Sequence, residues 1–561
     1  MDTKMTERTP ILALILILSL TLVATTPALA QAIPPTGVPA DSHSDPGWSQ
    51  LEQIDSALVE LARPVDDNGL PDWSAQTIAA RAEAIKGKRQ QLEAIDPAQW
   101  SVGGKVDYLL VRARLHGLEF EHRVLRPWAR DPIFWLGQAQ SIPYVELPLT
   151  GEEAGLWRAK LTAIPAIYER AQGLLTEASG ELADLAVFHL EHFDGVGQGQ
   201  PYRDQPPEGM IGWFADLCQR VGKNQAGDLA ACQRAEAAVT GYRDWLQANR
   251  SKMPPSAGIG IDELNRYLHD VRLLPYHVEE VVILGEREFH RYRATWEIVR
   301  NRNRKLPELE LTRSREQHEQ NTREGEQRIR ALVAEQELLT IPDDMPENFE
   351  TDVFWSPRAL DDRHFWEELQ FRNTLNNHIH ASIPGHRFDG MMSQRVENPI
   401  RRRYGDSTRA EGWATYLEEM LVLAGITDNQ PRAAELFYVA LMKRASRIYA
   451  ETMMHAGRFS LDDANRYMID YVPFMEEDLG RYDLEGYLRR PGLGCGYILG
   501  KIQLEQLLAE RSLQLGDDFN LGAFHDQLLS QGMIPLTLLR WEMTGYDDQV
   551  REYWGQIIGL E

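Results

Sequence analysis

A mainly α-helical fold is predicted for this 561-residue chain, and three observations predict it. Apolar residues recur at three- and four-residue steps through most of the chain after about residue 47, the period of a helix with one buried face. Strand-like alternation is sparse. No internal repeat, coiled coil or clear linker breaks the pattern, so 47–561 is expected to form one domain, long for a single core.

The start of the chain reads differently. Lys4 and Arg8 precede the apolar run ILALILILSLTLVATT, and Ala28-Leu29-Ala30 offers small residues for cleavage. That order is a secretory signal over 1–30, with a mature chain beginning at Gln31. The apolar run of about 16 residues is short of the roughly 20 that span a bilayer. No Cys follows it to carry a lipid, so no stable membrane anchor is expected. The predicted location is periplasmic or extracellular. Residues 31–46 (QAIPPTGVPADSHSDP) read as an extended, poorly ordered leader.

Helical spacing then runs through 51–62, 77–95, 106–125, 156–178 and 229–250, with Pro165 predicting a kink. SIPYVELPL (141–149) is the best candidate for a short extended piece. FHLEHFDG (188–195) places His189 and His192 at a helix end before the loop GVGQG, which lacks the strand and lysine of a phosphate cradle. Pro275-Tyr276-His277 sits at the start of another helix. SREQHEQNTREGEQRIRALVAEQELL (314–339) is a charged helix with a solvated face. Phe365, Trp366 and Phe371 have helical spacing and read as core.

Net charge is −25 with pI near 5.1. That balance argues against nucleic acid, which needs a basic face, and against anionic lipid. Arg401–Arg403 and Arg489-Arg490 are local exceptions that read as solvated loop charge, although the first run could meet an anionic group of a substrate. Three cysteines are too few for a disulfide framework. Cys218 and Cys232 stand 14 apart in a compartment that permits a bond, and their spacing alone leaves the pairing open. Cys495, between two glycines, is expected to pack rather than react.

The chemistry concentrates in NNHIHASIPGHRFDG (376–390) and RAEGWATYLEE (409–419). His380, His386 and Glu411 are two imidazoles and a carboxylate, the ligand set of a catalytic zinc site with one position open. Six residues apart on one helix, the histidines would point about 240° from each other. Pro384-Gly385 is therefore expected to end the first helix near Ile383 and swing His386 back toward His380.

HASIPGH followed by EGWATYLEE resembles the domain of unknown function 885 family, bacterial proteins regarded as zincin-like metallopeptidases with the pattern HExxPGH and then EGWAxYxE. GIGIDELNRYLHDVRLLPYHVEEV (258–281), GCGYILGK (494–501) and FHDQLLSQGMIPLTLLR (524–540) are also similar to that family. The resemblance implies a large zincin-like helical fold with few short strands, two lobes around a deep groove, and an exported hydrolase that acts on a peptide or amide substrate through metal-bound water. It favours Glu411 over Glu418 as third ligand, and gives Tyr497 the role of oxyanion donor beside the alternative of a packed aromatic. Arg409 could hold a carboxylate by a charge-assisted bond.

This chain departs from the pattern at Ala381, where the family carries the glutamate that takes a proton from the attacking water, and at Asp389, where the family carries glutamine. Three alternatives follow. Asp389, Glu418 or the zinc-activated water itself replaces the missing base. The chain is a catalytically impaired pseudoenzyme that keeps the metal site or groove to bind peptides. Or the histidines are satisfied by hydrogen bonds and no metal binds. Oligomeric state is not legible.

Overall fold

Helices form where the apolar spacing places them. In the computed structural model, which describes residues 42–66, 69–139, 146–192, 207–349 and 363–560, the first three are α1 (Trp48–Leu61), α2 (Ala75–Glu93) and α3 (Val102–Phe120). Ser74 and Ser101 cap α2 and α3 by accepting from the amides of Thr77 and Gly104, which satisfies donors that a helix start leaves open. There follow α4 (Gly151–Leu174), which runs on through Pro165, α5 (Gly180–Glu191), α6 (Gly209–Asn224) and α7 (Leu229–Asn249). A disulfide between Cys218 and Cys232, with Cα atoms 5.5 Å apart, ties α6 to α7.

Next come α8 (Val278–Asn303), whose N-cap is His277, and α9 (Arg315–Glu335). Two short helices, α10 (Leu375–Ala381) and α11 (His386–Ser393), lead to α12 (Ser407–Leu423) and α13 (Ala433–His455). α14 (Glu477–Arg489), α15 (Leu493–Leu515) and α16 (Leu521–Ser530) complete the part that concerns the site. Among the described residues β structure is limited to isolated bridges, Val65 with Pro71 and Gly405 with Met533. No described helix is long and apolar enough to cross a membrane.

The buried side chains form two clusters. One gathers Leu51, Leu109, Ile379, Trp413, Leu417 and Leu528 from α1, α3, α10, α12 and α16. The other gathers Leu161, Tyr242, Val281, Leu441, Ile448 and Leu484 from α4, α7, α8, α13 and α14. α15 belongs to both, with Ile498 and Leu499 in the second and Leu504 and Leu507 in the first. Nearly every residue of α13 is buried, as expected of a helix surrounded by others.

Glycines set two of the closest helix contacts. A Cβ at Gly285 would lie 2.7 Å from Ile448, so α8 and α13 touch there. α12 and α15 cross at Gly412 and Gly500, where an added Cβ at Gly500 would lie 2.1 Å from the Thr408 carbonyl.

Some expectations are corrected. Arg401 is not solvated loop charge but 4% exposed, with its guanidinium on Asp107 at 2.8 Å and Glu542 at 2.6 Å. Arg403 bonds Asp55 and Glu52, and Arg489 bonds Asp131 and Glu485. Ser42 and Asp45, in the stretch read as poorly ordered, are bonded to Asp107 and Ser101, because buried carboxylates and helix starts need partners. Residues 146–149 of the strand candidate form no strand. Its residues 141–145, the signal, residues 31–41 of the leader and the GVGQG loop lie outside the described residues.

Candidate metal centre

The break between the two histidines is built from backbone contacts. α10 ends at Ala381 and α11 begins at His386, as the Pro-Gly pair predicts. The chain folds back so tightly that a Cβ at Gly385 would lie 2.0 Å from the His380 carbonyl oxygen, so only glycine fits. The Trp413 indole of α12 donates to the Pro384 carbonyl at 2.9 Å, pinning the turn to the helix that carries Glu411.

That turn brings the two imidazoles together. Their centroids lie 4.7 Å apart with planes at 85°. Both Nε2 atoms face one oxygen of Glu411, His380 at 3.3 Å and His386 at 3.1 Å. One ligand atom from each residue lies within 4.8 Å of the others. Side-chain exposure rises from 11% at His380 to 31% at His386, so the cluster opens toward the His386 side. Burial works to lower the pKa of His386, but its bond to Glu411 together with the charges of Glu411 and Asp389 outweighs that and raises it. Burial works to raise Glu411, and the bonds from both histidines hold it well below the usual carboxylate range.

The two carboxylates of α12 divide their work. Glu418, two turns beyond Glu411, is wholly buried and sits 2.7 Å from His380 Nδ1, the nitrogen facing away from Glu411. The contact is close but out of line for a hydrogen bond. The same oxygen is 2.7 Å from the Arg444 guanidinium of α13. A carboxylate on the far nitrogen of a ligating histidine orients the ring. Glu419 turns elsewhere, to Arg291 and Lys501.

Asp389 is brought near but not freed. Its oxygens accept from Arg409 at 2.9 and 3.1 Å, with both side chains buried, so the carboxylate that the sequence offers as a base is taken up in holding α11 to α12. Tyr497, half-buried on α15, lies parallel to the His380 ring, 8° apart in plane and 6.3 Å between centroids. Burial, then the charge of Glu411, push its phenol up, which keeps the hydroxyl a donor. Gly496 and Gly500 let this stretch approach α12: a Cβ at Gly496 would touch Thr408 at 3.2 Å.

Three other histidines of the sequence motifs go to structure. His378 pairs with Glu326 of α9 at 2.9 Å. His189 pairs with Glu485 rather than with His192. His525 bonds the Leu338 carbonyl and the Tyr416 hydroxyl, and Asp526 accepts from Thr340. Cys495 is buried, and burial pushes its thiol up.

Sequence reasoning missed the charges of α13. Lys443, Arg444 and Arg447 are all buried; Lys443 and Arg447 share Asp483, at 2.8 and 3.0 Å. Three basic residues inside the mostly apolar run FYVALMKRASRIYA (437–450) were the signal available, since such residues are seldom fully buried without a reason.

A family model described as a bacterial protein of unknown function (DUF885) matches residues 58–353 and 350–543. A search of curated proteins returns no match. Two solved structures share the fold. One, from Shewanella oneidensis, is described as a "putative lipoprotein of unknown function"; it is 18% identical, covers 88% of this chain and 99% of its own, and has a TM-score of 0.65. The other, described as a "putative lipoprotein" from Colwellia psychrerythraea, is 16% identical, covers 89% and 97%, and has a TM-score of 0.63.

Proposed function

Because the chain belongs to the DUF885 family, whose description supplies no activity, we propose from the site itself that the protein is an exported zinc-dependent hydrolase of peptide or amide bonds. One observation carries this: two imidazole nitrogens and a carboxylate oxygen converge within 4.8 Å, with a second carboxylate behind His380. That donor set suits zinc, a borderline-soft cation that takes nitrogen and carboxylate ligands. Zinc held by His380, His386 and Glu411 would supply a Lewis acid beside a substrate carbonyl.

The chain's own groups then have defined tasks. Glu418 fixes the His380 ring, and Arg444 holds Glu418. The Asp389–Arg409 pair keeps His386 in register with Glu411. The Tyr497 hydroxyl donates to the oxygen that gains charge as the amide is attacked. No carboxylate stands at position 381 to take the proton from water. Asp389 faces Arg409 and Glu418 faces His380 Nδ1, so neither serves as that base.

Ala381 favours a second reading: the protein keeps the site to bind peptides and turns over slowly or not at all. The deciding experiment is the zinc content of the purified protein beside a His380→Ala/His386→Ala variant. About one zinc per chain, lost in the variant, is expected, and its absence after zinc is offered would overturn the enzyme reading and leave peptide binding to be tested on its own. Hydrolysis by native protein then supports the enzyme. Hydrolysis gained only in Ala381→Glu supports the binding protein.

Export is supported by the basic, apolar and small-residue order of 1–30. It is also supported by the disulfide of Cys218 and Cys232, a bond that persists in oxidising compartments, and by the description of the two similar structures as lipoproteins.

A further inference from the structure

α13 carries three basic side chains into the interior. Lys443 and Arg447 both lean on Asp483, and Arg444 leans on Glu418. Burial pushes the Lys443 ammonium down to about 7, so the lasting cations are the two guanidiniums. Glu451, one turn further along, turns to the Cys495 amide at 2.7 Å.

Both guanidiniums keep unused donors. Arg447 Nη1 and Arg444 Nε and Nη1 are buried without a hydrogen-bond partner among the described residues. A guanidinium cannot shed its proton, and leaving its donors unpaired in the interior is costly. These groups lie against the metal site. The Arg447 guanidinium is 4.2 Å from the centre of the Tyr497 ring, which is parallel to that of His380, and Arg444 is 6.0 Å from the same ring.

We propose that Arg447, with Arg444 beside it, binds a carboxylate of the ligand next to the bond presented at the metal site, so that the preferred ligand is a peptide or N-acyl amino acid with a free C-terminal carboxylate. A planar, two-oxygen anion matches the fork of a guanidinium and accepts from the unused donors. The inference rests on the proposed peptide-binding site, and it adds which end of the peptide lies there.

The test compares acetyl-Ala-Ala-Phe with its C-terminal amide by calorimetric titration into the zinc-loaded native protein, Arg447→Met and Arg447→Lys, with zinc content measured on each. Native protein is expected to bind the acid at least tenfold more tightly than the amide. That preference is expected to vanish in Arg447→Met and to persist in part in Arg447→Lys, with zinc unchanged in all three. Equal binding of acid and amide by native protein, binding of neither, or a preference that survives in Arg447→Met overturns the inference. The native comparison decides even if a variant fails to fold. A zinc-free protein that still prefers the acid would sink the metal reading and leave this one standing.

Discussion

Glu411 and Glu418 show how two identical side chains on one helix face acquire different tasks. Glu411 faces the near nitrogens of both histidines, and Glu418 faces the far nitrogen of His380. Glu418→Gln is therefore expected to weaken zinc binding by about 10- to 100-fold, read by competition with a chelator, while far-ultraviolet circular dichroism stays native. Tyr497→Phe is expected to leave zinc in place; if the protein is a hydrolase, kcat should fall by about 100- to 1,000-fold. His455 and His525 give a pH dependence. Burial lowers both to about 4 from an ordinary 6.5. The unfolded chain therefore takes up protons below 6.5 that the native state refuses, so stability is full above that pH and is lost as pH falls toward 4. Each contributes on the order of 1–2 kcal/mol between pH 6.5 and 5, measured as the shift in urea midpoint.

At the scale of elements, the crossing of α12 and α15 is the most exacting contact near the site. Gly500→Val would drive a side chain into the Thr408 carbonyl. It is expected to cost on the order of 3 kcal/mol and to displace Tyr497, while any zinc stoichiometry holds because the proposed ligands all lie on α10, α11 and α12. The disulfide between α6 and α7 closes a loop of 14 residues. Cys218→Ser/Cys232→Ser is expected to lower stability by about 3 kcal/mol, read by denaturant titration. Element positions were legible because apolar spacing dictates them, and so was the break between His380 and His386, because Pro-Gly can do little else in a helix. The division between Glu411 and Glu418 was not legible, since both point from one face and only the fold decides which nitrogen each meets. The partners of Arg401 were hidden for the same reason: an arginine in a basic run does not announce a carboxylate 294 residues away.

At the scale of the molecule, Asp107 is where distant parts of the chain meet. It accepts from Ser42, Trp48, Asn398 and Arg401, and Arg401 also binds Glu542. Arg401→Met leaves two buried carboxylates facing each other without a cation, and is expected to cost about 3–5 kcal/mol, visible as a lowered denaturant midpoint. The two core clusters share α15, so the loss is expected as a single unfolding transition. The same knot sets an order in time. Asp107 waits 294 residues for Arg401, roughly 15–60 s at ordinary rates of synthesis, and Glu542 comes later still. Until then Asp107 has only Ser42 and Trp48 as donors, and its other two, Asn398 and Arg401, arrive with the second half of the chain.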